Sequence, residues 1–226
     1  MPRAGGVGKA ESIWSYHSVG LILAGMEPAT GQNPKPHAII LGGINGAGKT
    51  TASRALLADT LKVMSFVNAD VIAQGLSGFS VEEVAIEAGR VMLERLHGLV
   101  ERRADFAFET TLAARTYAKW LRDIVAAGYS THLFYFWVCD AEFAIARVAA
   151  RVRAGGHHIP PETVRQRYGR SARNLFELYM PHLTTWKVYD NTANDYRLIA
   201  EGGTGWAGFV YDEATWELIR KAATDG

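Results

Sequence analysis

A lysine and two threonines directly behind a run of glycines can hold a polyphosphate. The segment Gly42-Gly43-Ile44-Asn45-Gly46-Ala47-Gly48-Lys49-Thr50-Thr51 has that arrangement. It contains GxxxxGK(S/T), from Gly43 to Thr50, directly after the apolar run Ala38–Leu41. A buried strand delivers the chain to a glycine turn, and the turn opens a helix whose unpaired N–H groups face an anion. The backbone of Gly43, Asn45, Gly46, Ala47, Gly48 and Thr51 can then close on phosphate. Lys49 reaches the β and γ oxygens, and the Thr50 hydroxyl suits Mg²⁺. The expectation is a nucleoside triphosphate site.

Other chemistry-bearing residues follow predicted strands. Asp70 ends Phe66-Val67-Asn68-Ala69-Asp70. There it can take a proton from an attacking hydroxyl or hold a Mg²⁺-bound water; the bland alternative is an N-cap for Val71-Ile72-Ala73. Glu109-Thr110-Thr111 ends Phe106-Ala107-Phe108. Glu109 can orient a substrate hydroxyl or stand behind Mg²⁺ as a Walker-B-like acid, and the threonines can equally cap the next helix. Arg115 reaches the same crevice or lies on a solvated face. Asp140 reads most simply as an N-cap.

Arg147 and Arg151, four apart, share a helix face, with Arg153 beside them and Gly155-Gly156 as a hinge. Arginines on a closing flap suit phosphoryl transfer. Arg167, Arg170, Ser171 and Asn174 form one polar stripe that meets phosphates or faces water.

Positioning these groups requires strands and helices in alternation, which predicts an α/β fold: a P-loop type parallel sheet with helices on both faces. Strands are expected at 37–42, 64–69, 106–109, 132–138 and 186–190. Helices are expected at 49–61, 81–103, 115–127, 141–153 and 161–179, then a strand at 196–201 and a helix at 211–222. Ser80 and Glu83 read as a capping box, with Val81, Val84, Ala85, Ala88, Val91 and Met92 as the buried stripe. Residues 1–36 read as a poorly ordered arm and 37–226 as one kinase-like domain, its lid at about 147–173. Ligands in such sheets sit beyond the carboxyl ends of the strands.

The chain has 226 residues, enough for one large α/β domain. A net charge of +1 gives no general reason to expect a nucleic-acid or membrane partner. The single cysteine, Cys139, excludes an internal disulfide and any multi-cysteine zinc site; it reads as a buried structural thiol in a reducing compartment. Val19–Met26 is too short to span a membrane, and a leader peptide is set aside because triphosphate chemistry belongs in the cytoplasm. Met26 is an alternative start.

The combination NGAGKTT, FVNAD, FETTL, RVAARVRAGGHHIP, RYGRS with NL, and YDN resembles the zeta-toxin family of P-loop small-molecule kinases, from Ile39 to about Asn191. The likeness is to its chromosomal bacterial members with a GGHxIP lid. The resemblance implies ATP and Mg²⁺ as cofactors, transfer to a hydroxyl of UDP-N-acetylglucosamine or a related UDP-amino sugar, and, for some members, a small helical antitoxin. It implies Lys49 and Thr50 at the nucleotide, Asp70 as general base, and Glu109, Thr111 and Arg115 at the sugar nucleotide. Arg151 and Arg153 match the lid arginines, one of which points inward, and Asn191 matches the loop near the adenine. Two departures are Ile44, where relatives often carry proline, and Ala113-Ala114, where they often carry Ser-Gly.

Two other readings compete. One is a P-loop ATPase or nucleotide switch acting on a protein partner; Asn191–Asp195 is not an NKxD motif, so guanine specificity is not expected. The other is an RNA-binding module using the Arg165–Arg173 stripe, which near-neutral charge argues against.

Overall fold

The computed structural model describes residues 35–77 and 83–226. The expected N-terminal arm up to residue 34, Ser80 of the expected capping box and Val81 of the expected buried stripe lie outside the described residues.

The chain runs β1 (His37–Gly42), α1 (Lys49–Ser53, continued by a π-helical stretch Arg54–Leu61), β2 (Phe66–Val67) and α2 (Ala69–Leu76). Next come α3 (Ala85–Glu101), β3 (Phe106–Thr110), α4 (Thr116–Ala126) and β4 (Ser130–Trp137). Then follow α5 (Ala141–Arg153), α6 (Pro161–Asn174, extended by π and 3-10 turns to His182) and β5 (Thr185–Asp190). The chain closes with β6 (Arg197–Gly203), β7 (Trp206–Val210) and α7 (Glu213–Asp225).

These strands form one sheet in the order β2-β3-β1-β4-β5-β6-β7. The pairs among β1 to β5 are parallel; β5–β6 and β6–β7 are antiparallel. Every residue of β1 is buried because helices cover both faces, which is why its sequence is a continuous apolar run. Alternation still sorts its side chains. Ala38 and Ile40 enter a core with Met92 and Leu96 of α3, Trp120 of α4 and Trp216 of α7. Ile39 and Leu41 enter the opposite core with Ala52 of α1 and Ala144 and Val148 of α5. The two-sided parallel architecture predicted from the alternation is the one found.

Several local expectations are corrected. The buried stripe of α3 is Ala88, Met92, Leu96 and Leu99, whereas Ala85 and Val91 are exposed. The helix therefore sits rotated relative to the stripe read from its first turns. Residues 69–76 form a full helix rather than a turn, and its N-cap is Asn68, whose side chain accepts from the amides of Asp70 (2.8 Å) and Val71 (3.4 Å). Asp70 is thereby left free of capping duty. β7, a second strand of a terminal hairpin, had no separate signal. Cys139 is exposed rather than buried, because β4 ends at Trp137 and the chain has already turned toward the N-cap Asp140, which accepts from the Phe143 amide at 2.7 Å.

At the opposite end of the sheet from the strand carboxyl ends, His37 of β1 and His132 of β4 share a buried hydrogen bond of 2.9 Å between Nδ1 and Nε2. Burial, with repulsion from His37, pushes the His132 pKa down to about 3. The unfolded chain takes up this proton near pH 6.5 and the folded one does not until about pH 3. The pair's stability is therefore complete above the unfolded value and is lost as pH falls between the two. The slope per proton is about 1.4 kcal/mol per pH unit. Urea midpoints from pH 7 to pH 4 should fall more steeply for the wild type than for His132→Gln, which cannot titrate there.

Candidate active site

The turn between β1 and α1 can bend as it does only with glycine. Gly43 has φ 129° and Gly46 has φ 85°. A Cβ on Gly43 would stand 2.1 Å from the Phe136 carbonyl oxygen, and one on Gly46 would stand 2.6 Å from that of Ala144. The loop thus presses its backbone against β4 and α5 and turns the N-terminus of α1 toward a cleft at the carboxyl ends of the strands.

That cleft has two lobes. The larger, about 330 Å³, is lined by Asn45, Gly46, Gly48, Lys49, Thr50, Thr51, Asp70 and Glu109, with Arg147, Arg151, Asn191, Asn194 and Tyr196. The smaller, about 160 Å³, is lined by Asn68, Ala69, Met92, Thr110, Thr111, Ala114, Tyr117 and Arg167. Asn45, Lys49, Asp70 and Glu109 line both. Gly43 and Ala47 of the same loop are buried and line neither lobe.

Lys49 is only 5% exposed; its Nζ donates to the Ile44 carbonyl at 2.9 Å and lies 3.6 Å from Glu109 Oε1. Burial pushes its pKa below the ordinary lysine value; Glu109 and Asp70 oppose that shift and Arg151 adds to it. All three of these groups reach Lys49 from elements other than its own. The Thr50 hydroxyl donates to Glu109 Oε2 at 3.0 Å, and Asn68 Nδ2 donates to the same oxygen at 2.9 Å. Glu109 is therefore fixed behind Thr50 by two bonds and one ion pair.

The basic residues divide. Arg147 donates to the carbonyls of Gly46 (3.4 Å) and Thr192 (3.5 Å) and to the Asn194 side chain, and its guanidinium lies 4.8 Å from the Phe143 ring centroid. Arg151 lines the larger lobe, and its Nη2 donates to the His157 carbonyl at 3.2 Å, so the turn at Gly155, φ 88°, folds back over the end of α5. Arg153 is exposed and lines neither lobe. Arg115 is exposed at the start of α4 and also lines neither.

Thr110 and Thr111 do not cap α4, which begins only at Thr116. Their hydroxyls instead accept from the amides of Leu112 (3.1 Å) and Ala113 (3.5 Å), closing a turn in which Leu112 has φ 58°. Thr111 and Ala114 face the smaller lobe, so one of the residues that departs from the Ser-Gly pattern is part of its wall.

Sequence reasoning did not place Arg167, Asn68 or Tyr196 in the site. The signal for Arg167 was the polar stripe on α6, and the stripe turns inward. Arg167 Nη1 donates to Asn45 Oδ1 at 2.8 Å, Ser171 pairs with the buried Tyr135 hydroxyl at 3.1 Å, and Asn174 Nδ2 donates to the Leu112 carbonyl at 2.6 Å. Arg170 alone of the four is exposed. Burial lowers the Arg167 pKa while Asp70 opposes that shift. Three of the four members of this stripe are thus engaged within the fold. Removing the Asn174 amide should leave a buried carbonyl unsatisfied, so Asn174→Ala is expected to lose about 1–3 kcal/mol in urea unfolding.

The chain is similar to several known proteins. An uncharacterised protein of Haemophilus influenzae (strain ATCC 51907 / DSM 11121 / KW20 / Rd) is 30% identical over 131 residues, 58% of this chain and 91% of that protein. A chain of the AvrRxo1-ORF1:AvrRxo1-ORF2 crystal structure with sulphate ions superposes with a TM-score of 0.68 at 18% identity, covering 93% of this chain and 69% of that one. The corresponding crystal structure with ATP gives 0.66 over the same shares. A chain from the PezAT chromosomal toxin-antitoxin system of Streptococcus pneumoniae gives 0.54 at 16% identity, covering 99% and 97%. These structural likenesses establish the fold. No helix among the described residues is long and apolar enough to cross a membrane. The Zeta toxin family model matches residues 23–200, most of the chain and all of the cleft described above, and the protein belongs to that family.

Proposed function

We propose that this protein is an ATP- and Mg²⁺-dependent kinase that transfers the γ-phosphoryl group to a hydroxyl of a UDP-amino sugar such as UDP-N-acetylglucosamine. The observation that carries the reading is the shared wall: Lys49, Asp70 and Glu109 line both lobes, so charged groups stand where a donor in one lobe would meet an acceptor in the other. ATP as the donor is supported by the P-loop and by the AvrRxo1 complex of like fold crystallised with ATP. The UDP-amino sugar rests on the family resemblance of the ETT segment and its position on the smaller lobe.

In this reading the α1 N-terminus and Lys49 hold the β and γ oxygens, and Arg151 and Arg167 approach the transferring group from opposite lobes. Asp70 accepts the proton of the attacking hydroxyl as its oxygen bonds to phosphorus and the bond to ADP breaks. Thr111 and Asn68 belong to the acceptor side. The Thr50 hydroxyl and the Glu109 carboxylate are hard oxygen donors side by side, as Mg²⁺ requires. When bound, the ion would neutralise charge on the phosphate oxygens. Arg153 and Arg115, named from the resemblance, have no part in this scheme because neither reaches the cleft. We assign the protein to the cytoplasm, where ATP is, and an antitoxin-like partner is supported by the toxin-antitoxin system among the structures of like fold.

The test mixes the protein and Mg·ATP with a panel of UDP-sugars and follows the acceptor by mass spectrometry, with Lys49→Ala as control. A Lys49-dependent gain of one phosphate on a UDP-amino sugar supports the reading. ADP release that requires another protein, with no phosphorylated sugar nucleotide, would overturn it in favour of a nucleotide switch.

A further inference from the structure

Four P-loop carbonyls, those of Ile44, Gly46, Ala47 and Gly48, accept from side chains. Besides Lys49 on Ile44 and Arg147 on Gly46, Asn191 Nδ2 donates to the Ala47 carbonyl at 2.8 Å, and the Tyr196 hydroxyl donates to the Gly48 carbonyl at 2.9 Å. The last two come from the loop joining β5 to β6. Its fit to the P-loop is close: a Cβ on Gly48 would stand 2.3 Å from Asn191 Nδ2 and 3.0 Å from the Tyr196 hydroxyl.

This loop carries backbone strain. Asn194 has φ 62° and Tyr196 has φ 46°, and a bulky aromatic in the left-handed region is an outlier that persists only where surrounding contacts hold it. Both strained residues reach the site. Asn194 accepts from Arg147, and Tyr196 bonds Gly48 while its ring stands edge-on to Phe136 at 5.6 Å and 79°.

We infer that Tyr196 is a positioning residue for phosphate binding. Together with the Ala52 amide, which bonds the same oxygen at 3.1 Å, it holds the Gly48 carbonyl and so keeps the adjoining peptide N–H groups of the P-loop set for an anion before nucleotide arrives. Asn191 does the same one residue earlier. Preorganised amides need no reorganisation when the phosphate binds, which is where the gain in affinity arises. Asn191 thus supports the loop through its side chain while also lining the larger lobe. The inference about nucleotide affinity rests on the proposed kinase reading; the inference about loop geometry does not.

Tyr196→Phe keeps the ring and its contact with Phe136 and removes only the hydroxyl. Hydrogen exchange of the Gly46–Lys49 amides in the free protein should quicken by roughly two- to tenfold, the range for losing one neutral hydrogen bond. Mg·ATP binding by calorimetry should weaken by a similar factor, with the KM for ATP raised and the KM for the acceptor unchanged. A role confined to general stability would instead lower the melting temperature and leave the two KM values in their original ratio. Unchanged exchange together with unchanged ATP affinity would overturn the assignment. If the wild type binds no ATP, the kinase reading falls, and the exchange rates alone decide whether Tyr196 holds the loop.

Discussion

Asp70→Asn should lower phosphoryl transfer by roughly a hundred- to ten-thousandfold, the usual contribution of a positioned general base, while ATP binding stays near the wild-type level. The substitution is nearly isosteric, and the cap of α2 does not rest on the Asp70 carboxylate. Asn68 caps α2 through its own side chain, and the Asp70 amide, not its carboxylate, is the group bonded there. Asp70 lines both lobes, and its charge supports the ammonium of Lys49 and the guanidinium of Arg167. Single-turnover formation of phosphorylated acceptor, set beside calorimetric titration with Mg·ATP, separates the two effects. A variant that turns over at the wild-type rate would remove the general-base assignment.

The arginines should separate just as sharply. Arg151→Ala and Arg167→Ala are each expected to lower kcat by about a hundred- to a thousandfold, the range seen when one preorganised donor to developing charge is removed. Arg153→Ala should stay within about twofold, since an exposed arginine away from the cleft contributes little beyond a screened surface charge. Arg167 differs from Arg151 in its support: it is half-buried and fixed to Asn45, whereas Arg151 is exposed and held by the His157 carbonyl of the turn after α5. Arg167→Lys should therefore recover little, because a lysine cannot keep the bond to Asn45 and still direct a planar donor pair into the smaller lobe. Steady-state rates for the four variants, measured with the acceptor identified by mass spectrometry, test this order. Equal loss from Arg153→Ala and Arg151→Ala would mean that the lid carries both into the site.

The legible part of this chain was the part whose physics is local. A glycine turn between an apolar run and a helix former requires the P-loop, because only those positive-φ residues let backbone amides converge on an anion. The alternation of apolar runs and amphipathic segments fixed the parallel sheet, and the spans of α5 and of α6 with its π-helical continuation agree with expectation to the residue. Asp140 as an N-cap was equally local.

What needed the tertiary structure was direction. Arg151 and Arg153 are two residues apart on one helix, so they point to different sides, and only the position of α5 against the P-loop decides which faces the cleft. The stripe on α6 has the same composition whether it faces water, phosphate or the core; packing against β4 and the Thr110–Leu112 turn sends Ser171 and Asn174 inward and carries Arg167 to Asn45. Asp70 was the cap that the sequence suggested as its alternative role, and the backbone path after β2 gave that role to Asn68. Tyr196 had no motif at all, since its role depends on a strained backbone angle and on a carbonyl 148 residues away in sequence. Sequence alone determined the P-loop and the fold that carries it; the long-range packing of α5, α6 and the β5–β6 loop decided which side chains meet there.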